Sequence, residues 1–147
     1  MFRFTVLLAA MTAVSACERG IPPGPPEILV DRTVCSRCGM LISEPLYAAA
    51  YKAEGQAAPR VFDDIGCLRA AARGENTPLL TWFHDAGDRA WISGAGTVFV
   101  ASSTLHTPMG GGVIAFRDAA AAQRSALEHQ GQVIPSLEAL LQAESGK

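Results

Sequence analysis

The segment Cys35-Ser-Arg-Cys38-Gly-Met40 places two thiols and a thioether close together in the chain. A second methionine, Met109, lies far downstream in the glycine-rich stretch Thr107–Gly112. Thiolate and thioether sulfurs are soft donors, and their combination favours Cu(I) over Mg²⁺, Ca²⁺ or Mn²⁺. Because Cys38 and Met40 are two residues apart, an extended backbone would direct both side chains to the same side. The spacing therefore predicts a Cu(I) site of Cys38, Met40 and Met109, with Cys35 as a further candidate.

Three other interpretations of the Cys35–Cys38 pair stay open. A structural zinc site would need a second pair of ligands, for which Cys67 with a histidine or aspartate is the candidate. A thioredoxin-like redox pair normally caps a helix, and the residues after Cys38 do not indicate one, although Thr107-Pro108 is similar to the proline loop of thioredoxins. A structural disulfide among Cys35, Cys38 and Cys67 is the third. A c-type haem is excluded, because Gly39 and not histidine follows the second cysteine.

Four residues near these segments have simpler interpretations. His106 precedes the second methionine and is either a further metal donor or a surface histidine. Cys67 falls in a predicted helix among apolar neighbours, which favours a small buried side chain over a metal ligand. Asp63 and Asp64 precede that helix and are predicted to be a cap and a solvated carboxylate.

The N-terminus has the pattern of a bacterial lipoprotein signal. Arg3 precedes an apolar run, residues 4–14, that is too short to span a bilayer. Small residues then precede Cys17, so cleavage is expected after residue 16, with Cys17 diacylated and held at a membrane by its lipid chains. Glu18 in place of aspartate favours the outer membrane, facing the periplasm. The proline-rich residues that follow, up to about residue 30, predict a semi-rigid spacer.

Composition restricts the classes of function. Removal of residues 1–16 leaves roughly 130 residues, which suits one domain or two very small ones. The net charge of −2 argues against a nucleic-acid partner. Four cysteines are present, and acylation of Cys17 would leave an odd number, hence at least one free thiol. No arrangement typical of a hydrolase is found, so a binding protein is expected rather than an enzyme.

The rest of the chain repeats one order of elements. The first pass has strands at 47–51 and 59–62, a helix from Ile65 to Arg73 ended by Gly74, and a strand at 79–83. The second pass begins with Trp91-Ile92 and a strand at 97–100, then has a strand at 112–116, a helix at 119–129 and a strand at 133–134. A terminal helix is predicted at 137–143.

Phe62-Asp-Asp64 and Phe116-Arg-Asp118 occupy the same place in the two passes. The shared order predicts an α+β fold of two small homologous ββαβ units packed together. They follow a signal peptide (1–16) and a tether (17–30). The first unit is expected at about 31–86 and the second at about 87–147.

The chain resembles the NosL family in the order of its motifs. They are the lipoprotein signal, the spacer, Cys-x-x-Cys-Gly-Met, Phe-Asp-Asp-Ile-Gly-Cys and Thr-Pro-Met-Gly-Gly-Gly. The resemblance implies a periplasmic lipoprotein that binds Cu(I) and supports maturation of the copper centres of nitrous oxide reductase. It implies an ABC-type assembly complex in the inner membrane as partner, identifies no copper donor, and agrees with two ββαβ units. It assigns Cys38, Met40 and Met109 to the copper site and leaves Cys35 open. A metallochaperone is therefore expected, with a thiol–disulfide oxidoreductase acting on copper-site cysteines as the alternative.

Overall fold

The computed structural model describes residues 24–73 and 80–143. The predicted signal peptide, the lipidation site Cys17 and the predicted helix stop Gly74 lie outside these residues. The first half contains β1 (Ala49–Lys52), β2 (Arg60–Phe62), α1 (Ile65–Ala72), β3 (Leu80–His84) and β4 (Trp91–Ser93). The second half contains β5 (Val98–Ala101), β6 (Val113–Phe116), α2 (Ala119–Glu128), β7 (Gln132–Ile134) and α3 (Leu137–Gln142).

Two antiparallel sheets carry the fold, in the orders β2-β1-β3-β4 and β6-β5-β7. In each, a strand pair precedes a helix and the strand after the helix joins the same sheet, which confirms the α+β fold of two ββαβ units. One expectation was wrong. Trp91-Ile92 does not open the second unit, because β4 pairs with β3, with His84 opposite Trp91. The second sheet begins at β5.

Aspartates cap the helices at the same place in both units. Asp64 accepts a hydrogen bond from the Gly66 amide at 2.6 Å, at the start of α1. Asp118 accepts one from the Ala121 amide at 2.7 Å, at the start of α2. Such side chains satisfy amides that lack a partner within the helix. The internal repeat in the sequence is therefore also a repeat in structure.

The two sheets meet at Asp85, directly after β3. Asp85 forms a parallel bridge with Ala115 of β6, and the Ala86 amide donates to the Ala115 carbonyl at 2.8 Å. The Asp85 carboxylate accepts from the Arg117 amide at 2.7 Å and from the Arg117 guanidinium at 3.2 Å. Phe83 and Phe99 pack edge to face across the junction, with ring centroids 4.9 Å apart. The second unit is thereby fixed against the first.

Among the described residues, no helix has the length and hydrophobicity needed to cross a bilayer.

Candidate metal centre

The Cys-x-x-Cys segment forms the tip of a short hairpin. Val34 bridges Leu41, and beyond them the Cys35 amide donates to the Met40 carbonyl at 2.8 Å. The turn closes where the Gly39 amide donates to the Cys35 carbonyl at 3.1 Å. Gly39 has φ +78°, a conformation that glycine adopts without steric penalty. The turn of the hairpin therefore brings Cys35 and Cys38 close together.

Contacts with β2 place this hairpin over the start of α1. The Ser36 amide donates to the Val61 carbonyl at 2.8 Å, and the Val61 amide donates to the Ser36 hydroxyl at 3.3 Å. Asp63 follows two residues after Val61, and Cys67 lies in the first turn of α1. Asp63 and Cys67 are four residues apart across the helix start, so their side chains are near neighbours. The hairpin thiols are thus brought to the same place as the donors of α1.

Four donor atoms converge there. The sulfurs of Cys35, Cys38 and Cys67 and a carboxylate oxygen of Asp63 all lie within 4.8 Å of one another. The Cys38 sulfur lies 3.6 Å from Asp63 Oδ1. Cys35, Asp63 and Cys67 are 2%, 3% and 6% exposed, whereas Cys38 is only partly buried. None of these three cysteines forms a disulfide. We call these four residues the thiol cluster, and its donors can hold a metal ion.

The surroundings of the thiol cluster favour the protonated thiols of Cys38 and Cys67 in the absence of metal. Burial raises the pKa of Cys67, and the neighbouring Cys35 and Asp63 raise it further. Burial also raises the pKa of Cys38, while the Met40 amide donates to its sulfur and opposes that shift. A metal ion binds the thiolate, so it must displace these protons.

A cleft of about 990 Å³ opens beside the thiol cluster. The first unit contributes Cys38 and Cys67 to its wall, and the second contributes His106 and Met109 from the loop between β5 and β6. Met109 is 43% exposed and His106 is also exposed. Candidate donors from both units therefore line one cleft.

The structure brings together part of the predicted site. Cys35 and Cys38 lie in the thiol cluster, and Met109 and His106 line the cleft with Cys38. Met40 lies on the hairpin with its side chain 55% exposed, and its backbone amide is the part that contacts Cys38. Whether Met40, Met109 and His106 bind metal stays a prediction.

Two cluster members differ from what the sequence indicated. Asp63 and its neighbour Asp64 are both buried, so neither is the predicted solvated carboxylate, and the cap is Asp64. Cys67 is buried, as expected, but its sulfur faces other donors rather than only apolar side chains. The signal that could have found both is the four-residue spacing of Asp63 and Cys67 across a predicted helix start.

Comparisons with known proteins agree with this description. A family model described as NosL matches residues 26–139 of the chain. The structure is similar to the crystal structure of the copper chaperone NosL from Shewanella denitrificans, with a TM-score of 0.70 and 18% sequence identity. The match covers 84% of this chain and all of that one, and at this identity it establishes a shared fold. No curated protein matches the chain.

Proposed function

The chain belongs to the NosL family, and we propose that it binds Cu(I) at the thiol cluster and transfers it to another protein. The observation that carries this proposal is the convergence of three thiols and one carboxylate within 4.8 Å, beside a cleft lined by a thioether. Thiolate and thioether donors favour Cu(I) over Mg²⁺, Ca²⁺ or Mn²⁺. A solved relative of the same fold is named a copper chaperone.

The distribution of burial favours transfer over permanent storage. Cys35 and Cys67 are buried, whereas Cys38 is partly exposed and lines the cleft. An acceptor that presents its own soft ligand can approach the ion from the Cys38 side. Met109 in the cleft and Met40 on the hairpin are exposed thioethers that can hold the ion during exchange. Binding and release need no chemical transformation, so we assign no catalytic activity.

The cellular setting is part of the proposal. We propose a periplasmic protein attached through a lipidated Cys17, favouring the outer membrane, with the proline-rich spacer between anchor and fold. The proposed acceptor is the ABC-type complex that matures the copper centres of nitrous oxide reductase. The signal sequence supports the location, and the resemblance of the motifs to those of the NosL family supports the partner.

Zinc is the alternative metal, and one specific observation supports it. Three cysteines and an aspartate supply four donors, the number found in tetrahedral zinc sites. The redox alternative receives less support. Cys35 lies in a hairpin turn rather than at the start of a helix, and the pKa of Cys38 is raised, whereas redox-active cysteines usually have a lowered pKa.

The test is a metal titration of the reduced mature chain carrying Cys17→Ala, which prevents acylation. Competition with a coloured Cu(I) chelator gives the stoichiometry and affinity, and X-ray absorption at the copper edge counts sulfur and nitrogen or oxygen donors. We expect one tightly bound Cu(I) with two or three sulfur donors. A parallel Zn²⁺ titration is the control. Tight Zn²⁺ binding that Cu(I) cannot displace, or Cu(I) binding no tighter than that of a Cys35→Ser/Cys38→Ser/Cys67→Ser variant, would contradict the proposal.

A further inference from the structure

The Asp64 carboxylate joins the two units at the edge of the cleft. One oxygen, Oδ1, accepts the Gly66 amide that begins α1. The other, Oδ2, accepts the Thr107 hydroxyl at 2.5 Å, the Met109 amide at 3.1 Å and the Gly111 amide at 3.4 Å. Asp64 is completely buried. The Asp64 side chain therefore accepts hydrogen bonds both from the start of α1 in the first unit and from the loop of the second unit.

Close backbone packing accompanies these hydrogen bonds. A Cβ built on Gly66 would lie 2.9 Å from the Gly111 Cα, and one built on Gly111 would lie 2.2 Å from Asp64 Oδ1. Only glycine at both positions lets the loop approach α1 this closely. The loop is thus held against the same helical turn that carries Cys67.

We propose that Asp64 is a positioning residue for the metal site: it holds the Met109 thioether over the cleft beside the thiol cluster. This inference rests on the proposed Cu(I)-binding function. Asp64 adjoins Asp63 in the chain and caps the helix that carries Cys67, while its second oxygen binds the Met109 backbone. In this proposal Asp64 does not bind the ion itself and affects it only by fixing the position of Met109.

A carboxylate is needed here because of the number of donors. Oδ2 faces one hydroxyl and two amides, all of which can donate to it. In Asp64→Asn the amide oxygen can still cap the helix, since asparagine caps as well as aspartate. The NH₂ group then faces the loop donors and cannot accept from them. The substitution thus releases the loop while preserving the shape of the side chain and the helix cap.

The test is a double-mutant cycle on the Cu(I) affinity of the mature chain, measured by chelator competition. The variants are Asp64→Asn, Met109→Ala and the double variant. Partners that orient metal ligands typically change affinity by about 10–100-fold when mutated. We expect Asp64→Asn to weaken Cu(I) binding about as much as Met109→Ala, and the double variant to be no weaker than Met109→Ala alone. Copper-edge X-ray absorption should show the same loss of a thioether sulfur in both single variants.

Two further variants separate positioning from general damage. Asp118→Asn alters the matching cap of α2, whose side chain bonds Ala121 and lies outside the cleft lining, and should leave Cu(I) affinity unchanged. Thr107→Val removes the hydroxyl that binds Asp64 and should reproduce the Asp64→Asn effect even if the latter variant does not fold. In the metal-free protein, hydrogen exchange at the Met109 and Gly111 amides should accelerate in Thr107→Val and Asp64→Asn alike.

The outcomes distinguish this inference from the proposed function. Failure of the parent protein to bind Cu(I) would overturn the proposed function, and the role of Asp64 with it. Parent-like affinity in both Asp64→Asn and Thr107→Val, with tight binding by the parent, would overturn only the role of Asp64. Additive losses in the double variant would also overturn it, because Asp64 would then act on the site independently of Met109.

Discussion

Replacement of Cys67 by serine tests whether the thiol cluster is a metal site. The side chain is nearly unchanged in size, so the fold should persist. Cys67 is 6% exposed, and the Asp63 carboxylate is a hydrogen-bond partner of its thiol. The new hydroxyl can donate to that carboxylate, and we expect the metal-free protein to lose only about 1–2 kcal/mol of stability.

The effect on metal binding should be larger. Structural zinc sites with four ligands bind with an apparent free energy of roughly 10–16 kcal/mol. If the four donors contribute equally, each accounts for about 3 kcal/mol of that binding free energy. This corresponds to a loss of affinity of about 100- to 1,000-fold. At a fixed concentration of free Cu(I), the stabilisation by metal should fall by about 3 kcal/mol, or roughly 10–15 °C in melting temperature.

The assay combines chelator competition with melting curves of the metal-free and Cu(I)-loaded proteins. Ala72→Ser is the matched control, because Ala72 is equally buried on α1 but lies outside the thiol cluster. It should lose a similar amount of stability without metal and keep its full gain with Cu(I). If Cys67→Ser keeps its affinity within about threefold of the parent while Cys38→Ser does not, Cys67 is a buried core thiol and the reasoning fails.

Four further predictions follow from the same site. Cys38→Ser should abolish tight Cu(I) binding in chelator competition, whereas Cys35→Ser should weaken it less; equal effects would refute the primary role of Cys38. Met109→Ala should cost under about 1 kcal/mol in the metal-free protein and reduce the gain in melting temperature with Cu(I); an undiminished gain would place Met109 outside the site. Cys17→Ala should move the protein from the membrane to the soluble fraction in cell fractionation without changing its Cu(I) affinity. Because the pKa of Cys67 is raised, its thiol is protonated near neutral pH, so Cu(I) affinity should rise with pH by about tenfold per unit for each proton displaced; a flat profile between pH 6 and 8 would indicate thioether ligands alone.

The elements that sequence predicted well are those with local signals. Both long helices begin at an aspartate that caps them, and the predicted starts at Ile65 and Ala119 agree with the structure. The strands agree within about two residues at each end, which is the usual uncertainty of such boundaries. Capping and alternation are properties of a few neighbouring residues, so they are visible without knowledge of the tertiary structure.

The assignment of β4 failed because its partner was judged from the order of elements alone. His84 and Trp91 are paired at the two ends of a tight connection, in which the Asp85 amide donates to the Ala90 carbonyl at 2.9 Å. Arg89 adopts φ +63° in this turn. The turn residues Gly87-Asp88 indicate a hairpin to the preceding strand, which outweighs the apparent start of a second repeat.

The membership of the thiol cluster was only partly predictable for a different reason. The hairpin reaches α1 through the bonds between Ser36 and Val61, which are 25 residues apart. No local property of either segment specifies that contact. The sequence therefore indicated residues of suitable chemistry, Cys35, Cys38 and Cys67, and the spacing that brings Asp63 near Cys67, but not that the hairpin would face them.

The two units differ at the positions that flank their helix caps. Asp63 and Cys67 flank the cap of α1, and the corresponding positions around the cap of α2 are occupied by Arg117 and Ala121. Arg117 bonds Asp85 at the sheet junction, so this position of the second unit contributes to the contact between the units. What the second unit supplies is the loop with Met109, held by Asp64. An ion bound by both units would therefore be sensitive to their relative placement, and a partner that disturbs the loop would weaken one donor without touching the buried thiols.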